Sequence, residues 1–99
     1  MNTNDVKAIM KAAKAGDTAR VKELLDADPG LVAAREADES TPLHCAAWKG
    51  RRDVVALLLL QHGADPDARG VNGRTPLDET GFHNATAAAR VLRQHGARI

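Results

Sequence analysis

The stretch Thr41-Pro42-Leu43-His44-Cys45-Ala46-Ala47-Trp48-Lys49-Gly50 decides the fold. Thr41 is a good helix N-cap, because its hydroxyl can accept from an orphaned amide. Pro42 suits the first helical position, having no amide hydrogen to leave unsatisfied. Leu43, Ala46 and Ala47 follow at the spacing of one buried helical stripe, and Gly50 supplies the left-handed residue that ends a helix. A second helix is predicted at about Arg52 to Gln61. Its Val54, Val55, Leu57, Leu58 and Leu59 make it apolar around most of its circumference, so it must be covered on more than one side. Gly63 stops it, and Asn72-Gly73 signals a tight hairpin turn.

The same signals recur along the chain. Thr41-Pro42-Leu43 returns as Thr75-Pro76-Leu77 after 34 residues, and Gln61-His62-Gly63-Ala64 returns as Gln94-His95-Gly96-Ala97 after 33. Upstream, Ala12-Ala13 and Gly16 stand 34 residues before Ala46-Ala47 and Gly50. With Thr41-Pro42-Leu43-His44-Cys45-Ala46 matching the pattern T-P-L-H-x-A in this period, the chain resembles the ankyrin-repeat family. The resemblance continues through Ala47-Trp48-Lys49-Gly50, Val54 to Leu59 and Gly63-Ala64-Asp65. It implies an all-α solenoid of stacked helix-turn-helix units joined by β-hairpin or loop connections. The expected organisation is a single domain over 1–99 with units at about 3–35, 36–69 and 70–99.

Departures between the units carry their own expectations. Arg20 and Glu23 replace Val54 and Leu57 in the first unit, giving that helix a polar face suited to an N-terminal cap. In the third unit Asp78 replaces His44, Gly81 replaces Ala47 and Asn84 replaces Gly50, and the second helix is thinned to Ala88, Ala89, Val91 and Leu92, as in a C-terminal cap. The second unit has one residue too many before Gly63, which leaves Leu60 without a buried slot. Asp28-Pro29-Gly30 lengthens the first loop.

Composition bounds the partners. The 99 residues leave no room for a second domain, and 14 basic against 13 acidic side chains lack the excess that nucleic-acid binders use on phosphates. Residues 1–40 carry six Lys/Arg and eight Asp/Glu, and residues 41–99 carry eight and five, a mild −2/+3 polarity. Lys7, Lys11 and Lys14 interrupt the apolar residues near the N-terminus, unlike a signal peptide, and no run reaches the roughly 18 apolar residues of a membrane span. One cysteine, Cys45, cannot close an intrachain disulfide. A soluble cytoplasmic protein is expected, with neither nucleic acid nor membrane as partner.

No catalytic, cofactor or metal constellation is apparent. His44 and Cys45 are adjacent, but neighbours on a helix point about 100° apart. By the resemblance, His44 bonds backbone and the cap threonine, while Cys45 is a small buried thiol. His62 and His95 fall near the ends of second helices, where a protonated imidazole suits the negative end of the dipole. Asp26, Asp28, Glu36, Asp38 and Glu39 surround the first loop and are expected to be solvated.

The leading functional expectation is binding of an unidentified protein partner on the concave surface, by a monomer without catalysis of its own. Head-to-tail self-association is the alternative, favoured by Leu60 and the charge polarity. The aromatics Trp48 and Phe82 stand 34 residues apart at equivalent places, with Lys14 equivalent in the first unit. The three should form one row facing the groove. Lys49 and His83 flank it, and Glu39, Ser40, Val71, Asn72 and Arg74 form its upper rim. Alternatively, both rings pack beneath the hairpins as inter-repeat filler.

Overall fold

The computed structural model describes residues 3–83 and 85–97; the side chains of Val71, Phe82 and His83 lie outside the described set. Helices α1 (Thr3–Ala15), α2 (Thr18–Ala27), α3 (Pro42–Trp48), α4 (Arg52–Gln61), α5 (Pro76–Glu79) and α6 (Thr86–Gln94) run in antiparallel pairs. Single 3-10 turns follow α2 at Pro29–Ala33 and α5 at Thr80–His83. The first helices of each pair stack as one row, α1 on α3 on α5, and α2, α4 and α6 stack as a second.

The first helices of the second and third units start as the sequence anticipates. The Thr41 hydroxyl accepts from the His44 amide while His44 Nδ1 accepts from the Thr41 amide, a reciprocal capping box. Asp78 performs the same reciprocal bonding with Thr75 in the third unit. The turn between paired helices is equally stereotyped. After α3, the Gly50 amide bonds Ala47 O and the Arg51 amide bonds Ala46 O, with Gly50 at φ +71°. Gly16 repeats this after α1, with its amide on Ala13 O, the Asp17 amide on Ala12 O and φ +75°. Only a residue without a Cβ enters that left-handed region without steric cost.

The core is the seam between the two rows. Ile9, Leu43 and Leu77 bury the first helices, and Val21, Leu25, Val54, Val55, Leu58, Val91 and Leu92 bury the second. Arg20 and Glu23 are exposed and ion-paired, which accounts for the polar face of α2. Leu31, on the 3-10 turn that Asp28 caps, closes the bottom of the first unit.

The extra residue of the second unit is absorbed locally. After α6 the Ala97 amide reaches back to Leu92 O, and after α4 the equivalent bond from Ala64 reaches Leu58 O, one residue further. The widened turn puts Leu60 outside, at 64% exposure. Among the described residues, His62 Nε2 in the same turn is buried without a hydrogen-bond partner.

Of the β-hairpin and loop connections expected, the described residues take the loop form. At Asn72 (φ +53°) and Gly73 (φ +74°) the chain makes the anticipated tight turn, closed by the Gly70 amide on Arg74 O at 2.8 Å. Yet no strand forms among the described residues. Thr75 already caps the next helix, so the hairpin ends after its first bonds.

Candidate functional site

Arginines at one register brace each hairpin, and Arg35 also joins the first to the second. Arg35 Nη1 donates to Glu39 O at 2.7 Å and also to Arg69 O at 2.6 Å, while Arg69 Nη1 donates to Gly73 O at 2.9 Å. His44 ties the same layer from beneath. Its Nδ1 lies 2.7 Å from the Thr41 hydroxyl and accepts from the Thr41 amide, so Nε2 carries the proton donated to Arg74 O at 2.9 Å. Gly70 is required beside it, because a Cβ there would stand 2.9 Å from His44 Nε2. Burial holds the imidazole pKa below its ordinary value, so His44 is a neutral structural bridge.

Between this hairpin layer and the row of first helices lies a cavity of about 320 Å³, bordered by Lys14, Glu36, Trp48 and Arg74 among others. Lys14 and Trp48 both border this cavity. Trp48 is half-buried, and Lys49 Nζ lies 4.5 Å from its ring centroid, the geometry of a cation on an aromatic face. Glu39 and Asn72 are exposed at the hairpin tips, and Arg74 is partly exposed. Glu39 takes φ +73° without being glycine, at the position Gly73 fills one unit later. Ser40 sits lower than the rim position expected for it: it is 6% exposed, with its amide held by Asp38 Oδ1 at 3.0 Å. That bond also holds the Asp38 carboxyl below the usual range. Val71, Phe82 and His83 belong to the proposed row and rim, but their side chains lie outside the described residues.

Two carboxylates depart from the solvated character that composition suggested or were not singled out at all. Glu36 turns into the groove, where Oε1 accepts from the Cys45 thiol at 3.2 Å and pairs with Lys14 at 3.5 Å. Glu79 is 6% exposed and accepts from Arg74 Nε at 2.8 Å. It stands 34 residues after buried Cys45, so the register itself carried the signal. Cys45 also approaches Met10 Sδ at 3.6 Å, and burial with Glu36 alongside pushes its thiol pKa far up. Such a thiol is a weak nucleophile. Among the described residues no group of three His, Cys, Asp or Glu side chains is placed to hold a metal, and no helix is long and apolar enough to cross a membrane.

Known proteins share this architecture. The 2-5A-dependent ribonuclease of Mus musculus is 44% identical over 72 residues, covering 73% of this chain and 10% of the ribonuclease. The serine/threonine-protein kinase VIK of Arabidopsis thaliana is 40% identical over 88 residues, covering 89% of this chain and 20% of the kinase. The chain therefore spans a fifth or less of these relatives. A chain from the solved complex of a predatory endopeptidase of Bdellovibrio bacteriovorus with an immunity protein superposes with a TM-score of 0.86. It is 31% identical, and the match covers 94% of this chain and 48% of that one. A family model for three copies of the ankyrin repeat matches residues 9–99, and with the stacked capped helix pairs above, the chain belongs to the ankyrin-repeat family.

Proposed function

We propose that this chain is a protein-binding module of three repeat units in one domain, taking its partner in the groove centred on Trp48 and carrying out no catalysis itself. The observation that carries this reading is Trp48: a large aromatic, half-buried beside a cavity of about 320 Å³, with a polar surround. Aromatic side chains so placed dominate binding energy at protein interfaces. Lys14, Lys49, Phe82 and His83 complete the row, with Glu39, Val71, Asn72 and Arg74 above it and Ser40 in its wall. The likeness to a chain of a solved protein complex supports a protein partner.

At the groove, His44, Cys45 and Glu79 are already occupied. Both nitrogens of His44 are bonded, the Cys45 thiol is held protonated, and the buried Glu79 is paired with Arg74. Leu60, the one large apolar side chain well exposed among the described residues, is too small a patch for the head-to-tail alternative. The test is Trp48 emission, which has no second tryptophan to confuse it. Acrylamide should quench it in the free protein, and partner binding should protect it. Trp48→Ala should cost about 2 kcal/mol or more of binding while the fold stays intact. Emission that is blue-shifted and unquenchable in the free protein would overturn the assignment.

A further inference from the structure

The near balance of 14 basic and 13 acidic side chains hides a local imbalance. Lys7, Lys11 and Lys14 are spaced four and three residues apart on α1, which places them on one helix face. They meet Lys49 and Arg51 around an open depression of about 470 Å³, where Glu36 is the single carboxylate among the described lining residues. That carboxylate is already engaged by Lys14 and by the Cys45 thiol. Arg51 is held there by construction. Its Nε donates to Lys14 O at 2.8 Å, and its stem crosses Gly16, where a Cβ would stand 3.0 Å from Arg51 Cδ. Lys49 reaches the depression from the end of α3, beside Trp48.

Gathering five cations around one engaged anion sets up mutual repulsion, which a ligand of opposite charge relieves. The next cavity along the groove sets Glu36, Asp38 and Glu79 against Lys14 and Arg74. The groove thus changes along its length, cationic beside α1 and close to balanced towards the third unit, where Arg74 pairs with Glu79. We infer that the occupant of this surface is an acidic segment of a partner protein, laid with its carboxylates over Lys7, Lys11 and Arg51 and its adjoining apolar residues at Trp48. The inference rests on the groove reading and gives it a partner chemistry and a direction.

The experiment is a peptide-library selection on the intact protein, with fluorescence anisotropy on the peptides recovered and on a labelled peptide of alternating glutamate and glycine. Selected sequences should be rich in Asp and Glu. Their affinity should fall at least about tenfold in Lys7→Glu/Lys11→Glu, and decline from low to physiological salt. The milder Lys7→Gln/Lys11→Gln should lose part of it, with thermal midpoints unchanged in both. Arg90→Glu/Arg93→Glu, which removes two exposed cations of α6, should have no effect. Selected peptides that need Trp48 but show no acidic enrichment would overturn the inference and leave the groove reading standing. Acidic peptides that need Lys7 and Lys11 but ignore Trp48→Ala would support the cationic surface and remove the aromatic anchor. Equal loss in the α6 variant, or tighter binding of phosphatidylserine vesicles or single-stranded DNA than of any selected acidic peptide, would overturn the inference.

Discussion

Replacing His44 with alanine tests how the hairpin layer is fastened to the helices. The ring is fully buried, and its loss leaves the Thr41 amide without its partner and takes one of two donors from the Arg74 carbonyl, which keeps the Gly70 amide. A buried polar group deprived of its partner costs about 1–3 kcal/mol, and the vacated ring volume adds a cavity cost. The sum is roughly 3–5 kcal/mol, a large share of the 5–15 kcal/mol that stabilises a small domain. Urea denaturation followed by circular dichroism should show the midpoint falling accordingly. Acid adds a second readout. Because burial lowers the folded pKa of His44 below its ordinary 6.5, the unfolded chain binds the proton first. Stability should therefore be full above that pH and decline as pH falls below it, towards the folded value. The His44→Ala variant should lose that part of the pH dependence. A loss under about 1 kcal/mol at neutral pH, or an unchanged acid profile in the variant, would refute the bridging role.

Arg74→Ala should destabilise by about 1–3 kcal/mol, because Glu79 is left buried and charged, and Arg74→Ala/Glu79→Leu should recover much of that loss; both are read from denaturation midpoints. Leu60→Gln should change stability by less than about 0.5 kcal/mol, since the widened turn already exposes that side chain. The Cys45 thiol should resist an aromatic disulfide reagent in the folded protein and react promptly in urea; rapid labelling of the native state would contradict its burial.

Much of the fold was legible because the determinants are local. Thr41-Pro42 and Thr75-Pro76 fix helix starts, and Gly16 and Gly50 take the left-handed turns their positions require. Even the extra residue near Leu60 was readable, since comparing two units exposes an insertion directly. Whether the connections would be β-hairpin or loop stayed open, because turn chemistry says nothing about how soon the next helix begins. The site was less legible. Glu36 looked like one more loop carboxylate, and its turn into the groove depends on Lys14 and Cys45 from two other segments. Lys7 and Lys11 spoke only against an apolar leader until stacking brought Lys49 and Arg51 beside them. Charge clusters assembled across repeats leave no mark on net charge.

The most direct test of the central claim is amide hydrogen exchange of the intact chain, free and with a selected acidic partner bound. The groove account expects added protection at the groove-facing positions of α1, through α3 to Lys49, and at the hairpins 36–40 and 70–74, with α4 and α6 unchanged. Protection confined to α4 and α6, with the α3 end and the hairpins exchanging as in the free protein, would place the partner on the opposite face and contradict it.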